Sequence, residues 1–349
     1  MAPKSKLTRR IPTSLMLKSA ILLVLGVTVT LSAALAMWQQ KRERQVNGPG
    51  KITQGQPQGT PARNDNTRGT EQTPSPEKPS AKNAPLRAPF YAALDKALAS
   101  RGWKLQEVCS LEDPVAKRVM EDYGAMFLAK ETVKPPPVCV FRDEGEVIKF
   151  QNEAKFRAEN IGGATIDLQP AAMNALLDAR ESARKERLDI TPRGGREAAR
   201  RSYQDTLRLW NTRFLPALTY WTRRGRLSQK EAARLRGLPV PDQVREVLEL
   251  EKRGIFFSQD LSKSILYSIA APGTSQHMAM LALDVAQFGD PRVRRILAAH
   301  GWFQTVKSDL PHFTYLGLAE KDLPAAGLTS VTVNSQVFWI PNVKPDLPR

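Results

Sequence analysis

The chain has 349 residues, enough for one large domain or two modest ones and for a sizeable buried core. Its formal charge is +17, yet residues 1–88 hold fourteen Lys and Arg against only four Asp and Glu. Most of the basicity therefore belongs to an N-terminal tail, and the mildly basic remainder gives no ground for expecting a nucleic-acid partner.

Lys4, Lys6, Arg9, Arg10 and Lys18 precede an uncharged run, Ser19 to Trp38, rich in Leu, Val, Ile and Ala. A helix of about twenty such residues crosses a bilayer. Residues 1–12 are expected to be a cytoplasmic N-terminus and 13–38 a transmembrane helix. The denser positive charge before the span sends the rest of the chain outward. Ala34-Leu35-Ala36 also fits a cleavage site, so a signal peptide is the competing reading. Residues 39–88 run through Gln, Gly, Pro, Thr, Asn, Ser and Lys with almost no large apolar side chain. Such a stretch cannot offset its ordering entropy and is expected to be a disordered linker.

Beyond the linker the pattern predicts an α+β fold. Residues 89–155 read as a small α/β subdomain with a helix over Phe90 to Leu98 and a second from Asp113 to Tyr123, where Asp113-Pro114 forms the cap and first turn. Three prolines, 135–137, then precede a short strand, Val138 to Phe141. Cys109 and Cys139 are the only cysteines, and an even count in an exported chain favours a disulfide over two buried thiols. In residues 156–349, a helical pattern follows Gln169-Pro170, and Leu188 to Thr191 reads as a brief strand ending at Pro192-Arg193-Gly194-Gly195. A long helix is expected from Glu197 to about Trp221, with Leu207, Trp210, Phe214, Leu215 and Leu218 as its buried stripe. Another helix covers Pro241 to Arg253.

Two of the three histidines then appear beside acids: His277 seven residues before Asp284, and His312 three residues after Asp309. Two imidazoles and a carboxylate are a normal ligand set for a catalytic zinc with one open position. Seven residues of straight helix would separate His277 and Asp284 by about 10 Å along the axis, and an odd spacing on a flat strand puts them on opposite faces. The chain must bend between them. Leu281, Leu283 and Val285 alternate with Ala282 and Asp284, as in a strand that presents Asp284 on one face. His312 to Gly317 alternates similarly, so a small antiparallel sheet, flanked by helices, should bring His277, Asp284 and His312 together. His300 has no acidic partner and reads as a helix terminator before Gly301.

Ser275-x-His277-x6-Asp284 followed by Asp309-x-x-His312-Phe313-x-Tyr315 resembles the D-alanyl-D-alanine carboxypeptidases of the vancomycin-resistance type, which group with lysostaphin-like and hedgehog-like zinc proteins. The resemblance covers about 265–317 and extends weakly back to residue 165. It implies zinc on His277, Asp284 and His312, and Asp309 as general base in a peptidase acting on peptidoglycan peptides. It also implies a bacterial chain held in the inner membrane by its N-terminal helix, with the C-terminal domain in the periplasm or cell wall. An arginine should receive the substrate carboxylate: Arg193 by its place at a strand end, or Arg201 for the sequence Arg201-Ser202-Tyr203. Ser275 and Tyr315 complete the expected substrate-facing set, Ser275 as a hydrogen-bond donor and Tyr315 as packing or a transition-state contact. Two positions depart from the family pattern. Met280 stands where the family has Gly, and Asp309 where it has Glu, one methylene longer. The second departure leaves an alternative: a zinc-containing peptidoglycan-binding protein that has lost hydrolysis.

Overall fold

Proline and aspartate set the first helix starts. A computed structural model describes residues 88–344. Helix α1, Pro89–Ala99, opens on a proline whose missing N–H is no loss in a first turn. A short helix, α2 (Leu105–Val108), leads to α3 (Pro114–Tyr123), capped by the Asp113 carboxylate on the Val115 N–H at 2.8 Å. Helix α4 (Glu144–Ala154) is capped likewise by Asp143. Strands β1 (Arg157–Ile161) and β2 (Ala164–Leu168) form an antiparallel hairpin that feeds α5, Pro170–Lys185.

Helix α6 (Tyr203–Arg223) begins at a reciprocal capping box between Ser202 and Asp205. It is followed by α7 (Gln229–Gly237) and α8 (Val240–Lys252). Then come β3 (Ala282–Asp284), α9 (Pro291–Ala299), β4 (Trp302–Phe303) and β5 (His312–Tyr315). The three strands make one antiparallel sheet in the order β3-β5-β4. A last hairpin pairs β6 (Leu328–Val333) with β7 (Gln336–Pro341) through Asn334-Ser335, both at positive φ as a tight hairpin turn requires. The fold is α+β, built on small antiparallel sheets and helices.

Two apolar clusters hold it. The larger draws Phe90, Phe127 and Phe150 into contact with Leu176, Leu283, Trp302 and Phe313, so residues on both sides of position 155 share one core. The smaller is built by α6, α7 and α8 around Trp210, Phe214, Phe257 and Leu250, and it ends in Ile265 and Leu266. Among the described residues no helix is long and apolar enough to cross a membrane. The span and linker expected over residues 1–87 lie outside the described residues.

The disulfide Cys109–Cys139 forms, with an S–S distance of 2.07 Å. Several local expectations are corrected. Val138 to Phe141 is not a strand: the prolines before it offer no N–H, and its own amides go singly to Val108 and Gly273 instead of to a ladder. Leu188 to Thr191 is not a strand either, because the Ile190 and Thr191 amides are taken by the side chains of Asp189 and Gln287. Only the bridge Pro192–Val285 remains of it. The long helix starts at Tyr203, after a single 3-10 turn over Arg196–Ala198. Its buried stripe is Thr206, Trp210, Phe214, Ala217 and Leu218, while Leu215 is exposed.

Candidate metal centre

Asp284 and His312 face each other across the β3–β5 ladder. Cross-strand partners bring their Cβ atoms to about 5 Å, which sets the carboxylate beside the imidazole. His277 arrives from a 3-10 turn, Gln276–Ala279, that ends on Met280 in the left-handed region at φ 55°. That residue makes the bend which the spacing requires, and the chain enters β3 two residues later. Gly273 anchors the approach. Its φ is 82°, and a Cβ there would lie 2.0 Å from the Phe141 carbonyl oxygen, so only glycine fits.

A buried turn must place its carbonyls, and here glutamines accept that task. The Gln151 amide, from α4, donates to Met278 O at 3.1 Å and to Arg201 O at 2.9 Å. The Gln169 amide donates to Ala279 O at 2.8 Å, and the Gln169 backbone N–H reaches Met280 O at 3.1 Å. The Arg201 N–H completes the set on His277 O at 3.3 Å. His277 O also takes the turn's own bond from the Met280 N–H at 3.1 Å, and the carbonyls of 278–280 are satisfied from outside the turn.

The three ligand atoms form a tight triangle. His277 Nε2 lies 3.1 Å from His312 Nδ1, and each is 3.3 Å from Asp284 Oδ1. A tetrahedral zinc with bonds of roughly 2.0–2.1 Å needs ligand atoms about 3.3 Å apart. Both histidines are buried, at 1% and 5% exposure.

The protonation state follows from a neighbour. Gln276 Nε2 donates to the Tyr123 carbonyl oxygen at 2.8 Å, which fixes the amide so that Oε1 faces His312 Nε2 at 2.8 Å and the Thr314 hydroxyl at 2.5 Å. An oxygen can only accept, so His312 carries its proton on Nε2 and turns the Nδ1 lone pair to the triangle. Asp284 Oδ1 is buried without a hydrogen-bond partner. Two acceptors thus converge on one point, and His277 has at most one proton for both, an arrangement a cation resolves. Burial, aided by the Arg201 charge, lowers the His277 pKa to about 4, so the ring is neutral near pH 7. Burial pushes Asp284 up, but the His277 and His312 rings outweigh it and hold the carboxyl below the usual range. These three side chains form a buried group able to hold one metal ion.

Beside the two histidines lies a cavity of about 250 Å³, lined by His277, His312, Ser275, Asp309, Arg201 and Tyr123 among others, while Asp284 lines the neighbouring arginine-rich hollow. Asp309 is brought to this wall by the turn that bonds the His312 N–H to Asp309 O. Burial and the Asp284 charge raise its pKa against the pull of His312, Arg201 and Arg193. Arg201 donates from Nη2 to Asp284 Oδ2 at 2.9 Å. Arg193 does not line this cavity. It stands exposed in a neighbouring arginine-rich hollow, with its guanidinium 5.4 Å from the Phe288 ring centre. Tyr315 is also not brought to the site. It points to the opposite face of β5 from His312, packs on Trp302 at 5.3 Å and bonds Thr132 through its hydroxyl. His300 caps α9 and meets Ser182, away from the ligands.

The residues that sequence reasoning missed are Gln151, Gln169 and Gln276. The only signal for Gln276 was its place between Ser275 and His277. Comparison with known proteins adds no relative: no family model, curated protein or solved structure matches this chain.

Proposed function

We propose that this chain is a zinc-dependent peptidase of the D,D-carboxypeptidase kind, acting on peptidoglycan stem peptides. The observation that carries the reading is the 3.1–3.3 Å triangle of His277, Asp284 and His312, whose two histidines line a cavity that Asp309 also lines. Two imidazoles and one carboxylate suit zinc, and three protein ligands leave a position open, as in catalytic rather than structural sites. A zinc ion held there would supply Lewis-acid chemistry, polarising a carbonyl and acidifying water.

The chain's own groups would do the rest. The Asp309 carboxylate takes a proton from the attacking water and passes it to the leaving amine. Its raised pKa favours that role, since a base works best when its pKa approaches the working pH. Arg201 holds Asp284 in place through Nη2, is itself held by Nε on the Glu197 carbonyl, and lines the cavity where its charge would meet a substrate carboxylate. Gln276 keeps His312 in the tautomer that offers Nδ1. In this reading the protein is exported and tethered to the bacterial inner membrane by the segment before residue 88.

The test is to incubate the protein with a stem peptide ending in D-Ala-D-Ala, with zinc or with chelator, and to follow D-alanine by mass spectrometry. Release that chelator abolishes, and that Asp309→Asn lowers by at least about a hundredfold, supports the reading. Zinc binding with no product from the wild type, together with turnover in Asp309→Glu, supports the peptidoglycan-binding alternative instead. No product from any of these proteins contradicts the peptidase reading.

A further inference from the structure

The cavity at the metal centre does not end at the ligands. Tyr123, Leu266, Tyr267, Val306 and Ser308 line it and also line a second hollow of about 280 Å³, so the two form one groove. On its other side the cavity shares Arg201 with the arginine-rich hollow. The two outer hollows have no lining residue in common, so the cavity of His277 and His312 joins the hollow of Arg201 and Asp284 to the far arm.

The far arm has a definite chemistry. Its floor is Thr305, Val306 and the end of β7 at Ile340 and Pro341. Arg118 and Asp122 on its side neutralise each other, and Glu121 accepts the Tyr91 hydroxyl. Lys307 is exposed on the rim, and no carboxylate pairs with it among the described residues. At the junction stands Tyr267, a large aromatic ring left 39% exposed, with the Lys263 and Lys307 ammonium groups each 5.9 Å from its centre. A largely apolar floor, an exposed aromatic ring and an unpaired cation on the rim suit an extended peptide that packs its side chains in the arm and carries a carboxylate.

We propose that the far arm binds the N-terminal part of an extended, carboxylate-bearing peptide, with that carboxylate on Lys307 and the chain across Tyr267. The assignment rests on the peptidase reading for its direction: the C-terminal end lies toward Arg201 and the scissile bond at the metal ligands. The unit recognised is then a whole stem peptide and not its terminal dipeptide.

Two peptides decide it: N-acetyl-D-Ala-D-Ala, and a stem pentapeptide with free side-chain carboxylates and the same terminus. Turnover is measured on the full-length zinc-loaded protein, and binding by calorimetry on Asp309→Asn. The expected kcat/KM for the pentapeptide exceeds that for the dipeptide by about tenfold or more. Lys307→Glu should lower that ratio, and weaken pentapeptide binding, by about tenfold, because a rim charge is replaced by its opposite. Lys307→Arg should keep both, and amidating the peptide's side-chain carboxylates should reproduce the loss. Equal kcat/KM on the two peptides, or pentapeptide binding indifferent to Lys307→Glu, overturns the assignment while leaving the peptidase intact. Lys307-dependent binding without any cleavage keeps the far arm as a peptide site and removes the peptidase.

Discussion

Gln276 controls more of the site than its chemistry suggests, because one amide sets the tautomer of a ligand. Its Nε2 is committed to the Tyr123 carbonyl, so its Oε1 has no choice but to accept from His312. Substituting Gln276→Leu frees the imidazole to rotate or to protonate on the wrong nitrogen. The metal dissociation constant, measured by competition with a chromophoric chelator, is expected to rise by about 10–100-fold. An unchanged constant would mean that the strand alone orients His312. Met280 poses the opposite question, since its backbone favours glycine and its side chain is fully buried. Relief of the left-handed conformation is worth about 1–2 kcal/mol, whereas removing a buried methionine side chain costs about 2–5 kcal/mol. Burial wins, so Met280→Gly should lower stability by on the order of 1–3 kcal/mol in urea unfolding. A gain in stability would show that the bend, and not the packing, limits this turn.

At the scale of elements, the 3-10 turn over Gln276–Ala279 stands because distant side chains hold its carbonyls. Gln169 alone makes three side-chain bonds, to Ala279 O, Lys134 O and the Lys134 N–H. Gln169→Leu strands these buried groups and should cost about 2–4 kcal/mol, with a matching fall in metal affinity; a loss below about 0.5 kcal/mol would deny the turn its dependence on α5. The bend after His277, the pairing of β3 with β5, the helix over Phe90 to Leu98 and the helix capped by Asp113 were legible in the sequence. Each follows from a spacing or a capping residue that excludes the other geometries. The supporting glutamines were not legible, since glutamine leaves no periodic trace and its contacts span 35 to 153 residues. Alternation misled at Leu188 to Thr191, where side chains took the amides a ladder needed. Of the two roles left open for Tyr315 the structure shows packing, since His312 and Tyr315 are three apart on one strand and face opposite ways. The β6–β7 hairpin was signalled only by Asn334-Ser335, a weaker turn pair than Asn-Gly.

For the whole molecule, two cores divide the labour around one cavity. The larger core fixes the metal-facing sheet through Leu283 and Phe313, and the helical cluster of α6 to α8 ends in Ile265 and Leu266, beside the wall segment that lines the groove opposite. The disulfide sits in this arrangement as a tie: it holds Cys139, two residues before the Phe141 amide that grips Gly273 and hence the approach to His277. The peptidase reading and its zinc-containing alternative both depend on the three ligand atoms closing on one ion. The direct measurement is crystallography of the zinc-reconstituted protein, with anomalous differences recorded at the zinc edge. The account predicts a single peak bonded to His277 Nε2, Asp284 Oδ1 and His312 Nδ1 at about 2.0–2.2 Å, absent from His277→Ala. A crystal soaked in zinc that shows no ion between these atoms, or shows His277 and His312 hydrogen-bonded to each other in its place, would contradict it.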